Sequence, residues 1–464
     1  MARERAAMME SNDLFRPRPR LGLFKPTPGP RSGKRQSLQL ACAAGLACAL
    51  AAPPSSALQP LEVFVAAAAQ HNPDALETQA NLELQRAQAD LALGRVLPGL
   101  VARGSLTRNQ FDSVISLGPG QGSVTIVPLN QQDFLATLTV PLIDLAGFER
   151  VAAAKSSARA FDQQLAATQL QVQAVVAQDY YQLVANLSLL TAAQKALEVS
   201  KENLRLAQNR VGAGVAPQLD VDRARADLEQ QNQQVSSAAL QIALASRALE
   251  SAAGMVPDSA AALPLSDDLH AELALADSEA NLEHLPSVAA AAGNTHAAEQ
   301  LATAQRLAFV PTLAGAISER GTSTPGFTGH NWSWQAVLGL NWALDFTTFA
   351  TLKIQDAAAS GARARELRAR LGARDAIHRQ WQTVTASISR SRSARAGFDA
   401  ATAAAQSASN RYQAGSTTQL ELLQAQRDAF AANVSRIQAD ADLVNARAQL
   451  RLATGMSLLE KKEP

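Results

Sequence analysis

Apolar residues recur every seven positions at Val176, Leu183, Leu190, Leu197, Leu204 and Val211, along a stretch from Phe148 to Arg210 that contains no Pro or Gly. That pattern predicts one continuous helix of about 95 Å, at 1.5 Å per residue. A heptad sustained over such a length requires another helix wound alongside. Ala193, Ser200 and Ala207, each three positions after a heptad leucine, leave room for its close approach. Gly212 and Gly214 end the helix, and a shorter return helix follows from about Pro217 to Ala253. Upstream, Leu61 to Leu97 is rich in Ala, Leu, Glu and Gln and reads as helix, with Pro73 near its start and Pro98 just beyond its end. Two segments switch to a period of two: Gly99 to Arg108, and Asp133 to Val140, where Phe134, Ala136, Leu138 and Val140 share one face of a strand. The loop between them holds Gly118-Pro-Gly-Gln-Gly.

The whole pattern occurs twice. Arg210-Val-Gly-Ala-Gly-Val-Ala-Pro-Gln-Leu-Asp-Val and Arg411-Tyr-Gln-Ala-Gly-Ser-Thr-Thr-Gln-Leu-Glu-Leu superpose at an offset of 201, as do Asp144 with Asp345, Phe148 with Phe349 and Gly254 with Gly455. Pro73 with Pro286 and Pro98 with Pro311 match at 213, so the first half has twelve extra residues between 98 and 144. The expected organisation is a first repeat over 58–256, a linker over 257–274, a second repeat over 275–456 and a tail over 457–464. The second repeat then holds a helix to Leu307, strands near Pro311 to Glu319 and Trp332 to Trp342, a long helix from Phe349 to Tyr412 and a return helix to Thr454. Gly361, Gly372 and Gly397 fall inside that long helix and are expected to interrupt it.

The strand Trp332 to Trp342 carries Trp332, Trp334, Ala336, Leu338, Leu340 and Trp342 on one face, against Ser333, Gln335, Val337, Gly339 and Asn341 on the other. From Trp334 to Trp342 is about 26 Å of strand, close to the roughly 25 Å apolar band with aromatic girdles of an outer-membrane barrel. The alternative for this strand alone is a β-sandwich strand with aromatic core residues. Four strands cannot close a barrel, so a spanning reading requires subunits to pool them, two chains giving eight and three giving twelve.

Composition narrows the class. In 464 residues there are 42 Lys and Arg against 41 Asp and Glu, which gives no electrostatic case for a nucleic-acid partner. The chain is 47% hydrophobic but only 4% aromatic, a balance that suits long Ala- and Leu-rich helices. Residues 1–57 read as a secretory signal with an unusually long charged n-region and an apolar run from Leu38 to Ala52, cut after Ala57 or near Ala51. Both cysteines, Cys42 and Cys48, lie in that run, so a chain cut after Ala57 has no disulfide and no thiolate nucleophile. Lipidation is disfavoured because Gln39 and Gly45 stand where an aliphatic residue is wanted.

No catalytic, cofactor or metal site is expected. His71, His270, His284, His296, His330 and His378 are scattered without an i,i+4 pair, and the glycine-rich loop lacks the Lys-Ser/Thr of a phosphate cradle. A passive transport duct accounts for signal, duplication, girdled strand and long helices together. A coiled-coil scaffold accounts only for the helices, and a secreted hydrolase only for the export.

In order along the chain, Leu61-Glu-Val-Phe with Asn72-Pro73, Leu97-Pro98, Val140-Pro-Leu-Ile-Asp144, and the two glycine turns followed by Leu-Asp-Val and Leu-Glu-Leu resemble the TolC-like outer-membrane efflux proteins, over about 58–456. The resemblance implies a mostly α chain with a small β part. Three such chains would form a homotrimer, in which four strands per chain build a shared 12-stranded outer-membrane β-barrel and long coiled-coil hairpins form a periplasmic tunnel. It implies a non-enzymatic exit duct, working with a periplasmic adaptor and an inner-membrane pump, proton-driven or ABC, for small toxic compounds. A type I protein secretion system is the alternative. The resemblance places the hairpin tips, Val211, Gly212, Gly214, Val215, Gly415 and Ser416, against the adaptor. It places the periplasmic gate at Asp220, Tyr412, Glu421 and Gln424, with a Tyr412 hydroxyl to Asp220 carboxylate bond between neighbouring hairpins. Gln424 departs from the acidic residue of the family, and Thr417 from a basic lock residue. Trp332, Trp334 and Trp342 would form the girdle in outer-membrane lipid.

Overall fold

The computed structural model describes residues 58–120, 122–258, 265–343 and 345–459. The N-terminal 57 residues, with the expected signal segment, Cys42 and Cys48, lie outside them. Among the described residues eight α-helices and six strands follow in the order α1 (Leu61–His71), α2 (Pro73–Gly94), β1 (Gly99–Arg108), β2 (Ser113–Ser116), β3 (Ser123–Val127), β4 (Asn130–Ile143), α3 (Leu145–Gly212), α4 (Gln218–Ala253), α5 (Leu275–Glu279), α6 (Pro286–Leu307), β5 (Thr312–Thr322), β6 (Trp332–Asn341), α7 (Phe346–Gln413) and α8 (Gln419–Ala453). None of these helices is long and apolar enough to cross a membrane.

Three expectations change. The first helix is two, because the Asn72 side chain accepts the Asp74 amide and caps α2 just ahead of Pro73 while donating to the Ala252 carbonyl, which ends α1 there. Among the described residues the four expected strands form one sheet, β1-β4-β5-β6, but most of the extra residues of the first half fold as the two-stranded ribbon β2–β3 instead of a plain loop. And α7 runs unbroken through Gly361, Gly372 and Gly397, with 68 residues, as many as α3. A glycine costs about 1 kcal/mol in a helix interior, too little to break a helix packed along its length.

At about 100 Å each, α3 and α7 are the two struts. In the upper half the helices lie in the order α2, α3, α6, α7, and in the lower half α4, α3, α8, α7. The seam of α3 is built as its heptad requires: Val176 and Leu183 are fully buried, and lower down the small Ala193, Ser200 and Ala207 are the buried positions. Around the middle, Phe64 and Val65 of α1 pack with Val176 and Leu183 of α3 and Leu249 of α4, and a second core joins Val384 of α7 to Leu443 and Leu450 of α8. The segment Leu265–Ala274 is strapped to that second core. Arg447 ion-pairs with Asp267 (2.9 Å) and Glu272, Trp381 Nε1 donates to the Leu273 carbonyl (2.9 Å) and Arg395 donates to the Asp267 carbonyl (2.8 Å).

The four-stranded sheet has the order β1-β4-β5-β6, antiparallel throughout, so β1 and β6 are open edges. Its register sorts the two faces. Across the strands, Trp332 aligns with Gly321, Phe134 and Gly104; Ala336 with Ile317, Leu138 and Leu100; Leu338 with Gly315 and Val140. The opposite face aligns Ser333 with Arg320, Leu135 and Arg103, and Gln335 with Ser318, Thr137 and Val101. One side is therefore an apolar belt, interrupted by Glu319 beside Trp334, and the other is largely polar.

Candidate functional site

Both long hairpins end in the same turn. Gly214 and Gly415 sit in the left-handed region (φ 73° and 74°), and Val215 and Ser416 donate back to the Arg210 and Arg411 carbonyls (3.0 and 2.9 Å), closing matching Schellman caps. A side chain at either glycine would strain the backbone. Val211, Gly212, Val215 and Ser416 complete the two tips, and all but half-buried Val211 are exposed.

Just above the tips, Tyr412 is only 3% exposed, and its hydroxyl has no hydrogen-bond partner among the described residues. Burial pushes its phenol above the ordinary value, Arg210 draws it back, and Asp220 adds to the rise. The expected bond between Tyr412 and Asp220 is not made among the described residues; Asp220 faces Arg223, at 3.9 Å. Arg210 supplies the link. Its guanidinium lies 4.6 Å over the Tyr412 ring and donates to the Tyr412 carbonyl at 2.8 Å, which ties the first hairpin to the second. Glu421 is exposed in the first turn of α8; its amide is capped by Thr418 (3.3 Å) and its carboxylate accepts the Thr417 hydroxyl. Gln424 is exposed one turn further on.

Higher up, α3, α4 and α8 meet at a buried carboxylate. Asp227, 5% exposed, accepts the Ser200 hydroxyl (2.8 Å) and pairs with Arg427 Nε (2.9 Å). Asn203 donates to Gln426 at 2.6 Å beside it. A groove of about 410 Å³ opens here between Val199, Gln231, Phe398 and Phe430. Arg210, Asp227 and Arg427 were given no role from the sequence, because their partners lie 27 to 202 positions away. The one local signal was an acid within the buried stripe Ala224, Asp227, Gln231 of α4.

Trp332, Trp334 and Trp342 are exposed by 60, 76 and 61%. Trp332 packs on Phe134 with ring centroids 6.0 Å apart and covers Gly321, where a Cβ would come within 2.9 Å of the ring. Trp342 donates from Nε1 to the Phe309 carbonyl (3.0 Å). One histidine does sit among acids: Asp267, Asp268 and His270 bring ligand atoms within 4.8 Å of one another. The Arg447 guanidinium already occupies that cluster, donating to His270 Nε2 (2.8 Å) and to Asp267. It supplies the positive charge a metal ion would.

A sheet apolar on one side, open at both edges and set on helices of about 100 Å is an architecture suited to an outer-membrane channel protein. Comparison with known proteins agrees. The chain matches the family model for outer membrane efflux proteins over 65–255 and 278–456. It belongs to the outer membrane efflux protein family, and its place is the outer membrane, with the helical part in the periplasm. It is 28% identical over 262 residues to the fusaric acid resistance protein FusA of Burkholderia cepacia, a match that covers 54% of this chain and about half (48%) of that relative. Its fold is that of the outer membrane protein VceC of Vibrio cholerae (TM-score 0.72, 20% identity, 86% of this chain and 97% of that one). It is also that of the Campylobacter jejuni CmeC outer membrane channel (TM-score 0.72, 18% identity, 86% of each chain). The Neisseria gonorrhoeae MtrE outer membrane channel, solved in its open state, is a third (TM-score 0.70, 20% identity, 86% and 91%). CmeC and MtrE are outer membrane channels.

Proposed function

We propose that this chain is the exit duct of a tripartite efflux pump, with three copies pooling their sheets into a twelve-stranded barrel and their helices into a periplasmic tunnel. The observation that carries the reading is the two-faced sheet with open β1 and β6 edges, since unpaired edges and an apolar outer belt are stable in lipid only when neighbouring chains close the ring. Resistance to a small organic acid in FusA supports small toxic compounds as cargo. The tandem organisation, 58–256 and 275–456 about the linker 257–274, with a tail from 457, is supported by the equal lengths of α3 and α7.

In this reading the tips around Gly214 and Gly415 meet a periplasmic adaptor that joins the duct to an inner-membrane pump, proton-driven or ABC. Gly214→Asp or Gly415→Asp is expected to abolish export while the trimer still assembles, measured as drug accumulation beside trimer yield; wild-type export from both variants would remove the tips from the docking site. The gate lies just above. Three copies of Glu421 converge on the axis and favour cations, and the Tyr412 hydroxyl, without a partner among the described residues, takes a neighbouring subunit's carboxylate. The reading is tested in planar bilayers under a salt gradient. Glu421→Gln is expected to lower cation selectivity with little change in conductance, and Tyr412→Phe to raise conductance. A wild-type chain that forms no pore would sink the duct; pores unaltered by both substitutions would sink only the gate.

A further inference from the structure

We infer that Arg103 and Arg320 form an anion-attracting band at the outer mouth of the barrel, which makes organic anions the favoured class of cargo. This deepens the duct reading and rests on it, because only a closed ring turns the polar face of the sheet into an interior. Arg103 of β1 and Arg320 of β5 stand in one cross-strand row with Leu135 and Ser333. Residues aligned across a sheet share a face, and Ser333 lies on the side away from Trp332 and Trp334, so both arginines belong to the polar side. Each is exposed, and they stand two strands, about 10 Å, apart. The row crosses β6 near its start, while Asn341 at the other end of β6 leads towards α7, so the band lies away from the helices.

The charge on this face is not balanced. Within the four strands its charged residues are Arg103, Asp133 and Arg320, whereas Arg108 and Glu319 fall on the belt side. Asp133 lies two residues further out, 3.7 Å from Arg320, and also accepts the Gln131 side chain at 2.7 Å. Arg103 has no ion-pair or hydrogen-bond partner among the described residues, so one positive charge per chain stays uncompensated, three in the trimer. Twelve strands tilted at about 40° enclose a radius of about 12 Å. Arginine side chains carry their charges well inside that radius, within about one Debye length (roughly 8 Å at physiological salt) of the axis. The field therefore fills the lumen instead of being screened at the wall, and it attracts anions and repels cations. A planar carboxylate suits the band further, because a guanidinium can donate two parallel hydrogen bonds to it. An anionic compound that has passed the level of Glu421 is thus drawn towards the exit.

The test uses the full chain in planar bilayers under a potassium chloride gradient. Because Glu421 acts on the same readout, the arginines are changed both in the wild type and in Glu421→Gln. Arg103→Gln with Arg320→Gln is expected to shift the permeability ratio towards potassium about threefold in each background, while Arg103→Lys with Arg320→Lys keeps the parent ratio. At about 1 M salt, where the Debye length falls to about 3 Å, the shift is expected to vanish. Potassium benzoate in place of chloride is expected to show the same loss of anion permeability. Unchanged ratios in the glutamine pair, a lysine pair that behaves like it, or a shift that persists at high salt would overturn the band while leaving the duct standing. A shift for chloride without one for benzoate would overturn organic anions as the cargo class. A wild-type chain that forms no pore would overturn the band and the duct together.

Discussion

Leu338→Arg is expected to abolish trimer yield in the outer-membrane fraction. Leu338 lies mid-strand in β6, 67% exposed, on the belt with Gly315 and Val140 and between the tryptophans that bracket the apolar face. An arginine at bilayer mid-depth on a barrel costs about 2 to 4 kcal/mol, and a closed trimer would carry it three times. The control is its neighbour: Val337→Arg points to the opposite face, alongside Ala316 and Thr139, where the same charge meets the polar interior and is expected to leave yield near wild type. Heat-modifiable trimer measured in membrane fractions separates the two, and equal yields would show that the belt does not face lipid.

Arg427→Ala is expected to loosen the lower hairpins and raise single-channel conductance. The Asp227 side chain is 7% exposed and its charge is balanced by Arg427, with only the Ser200 hydroxyl left when the guanidinium goes. Because Arg427 itself is half-exposed, the loss falls at the low end for a charged hydrogen bond, about 1.5 kcal/mol. In the proposed trimer three such losses would act on hairpins that are also joined near their ends by Asn203–Gln426 and Arg210–Tyr412. Asp227→Asn placed on top of Arg427→Ala removes the stranded charge and is expected to restore part of the thermal stability. Unchanged conductance and melting in Arg427→Ala would leave Asp227–Arg427 as a packing detail.

The proposed gate is only partly legible in the sequence. Tyr412, Asp220 and Glu421 rest on the family resemblance at the two glycine turns, and each flanks one of those turns. Among the described residues Tyr412 and Asp220 are not bonded: the guanidinium of Arg210 lies over the Tyr412 ring, and the buried hydroxyl has no partner. Which side chain wins such a contact depends on the packing of hairpins some 200 residues apart, to which no local pattern is sensitive.

Periodicity by itself determined the long helix of the first half, its return, the strands of the sheet and their apolar face, since a heptad, a period of two and a Gly-centred cap are each local geometries with local signatures. It misjudged α7, where glycines spaced along one face look like breaks to a local reading but cost little once the opposite face is packed against α6 and α8. It also left the extra residues of the first half as a loop, although they pair with one another as β2–β3. Only the tertiary structure decided the order of helices around α3, the register that separates the apolar belt from the polar face, and the Asp227–Arg427 clasp. Those depend on which distant surfaces bury each other, and burial is a property of pairs of elements rather than of any one stretch of chain.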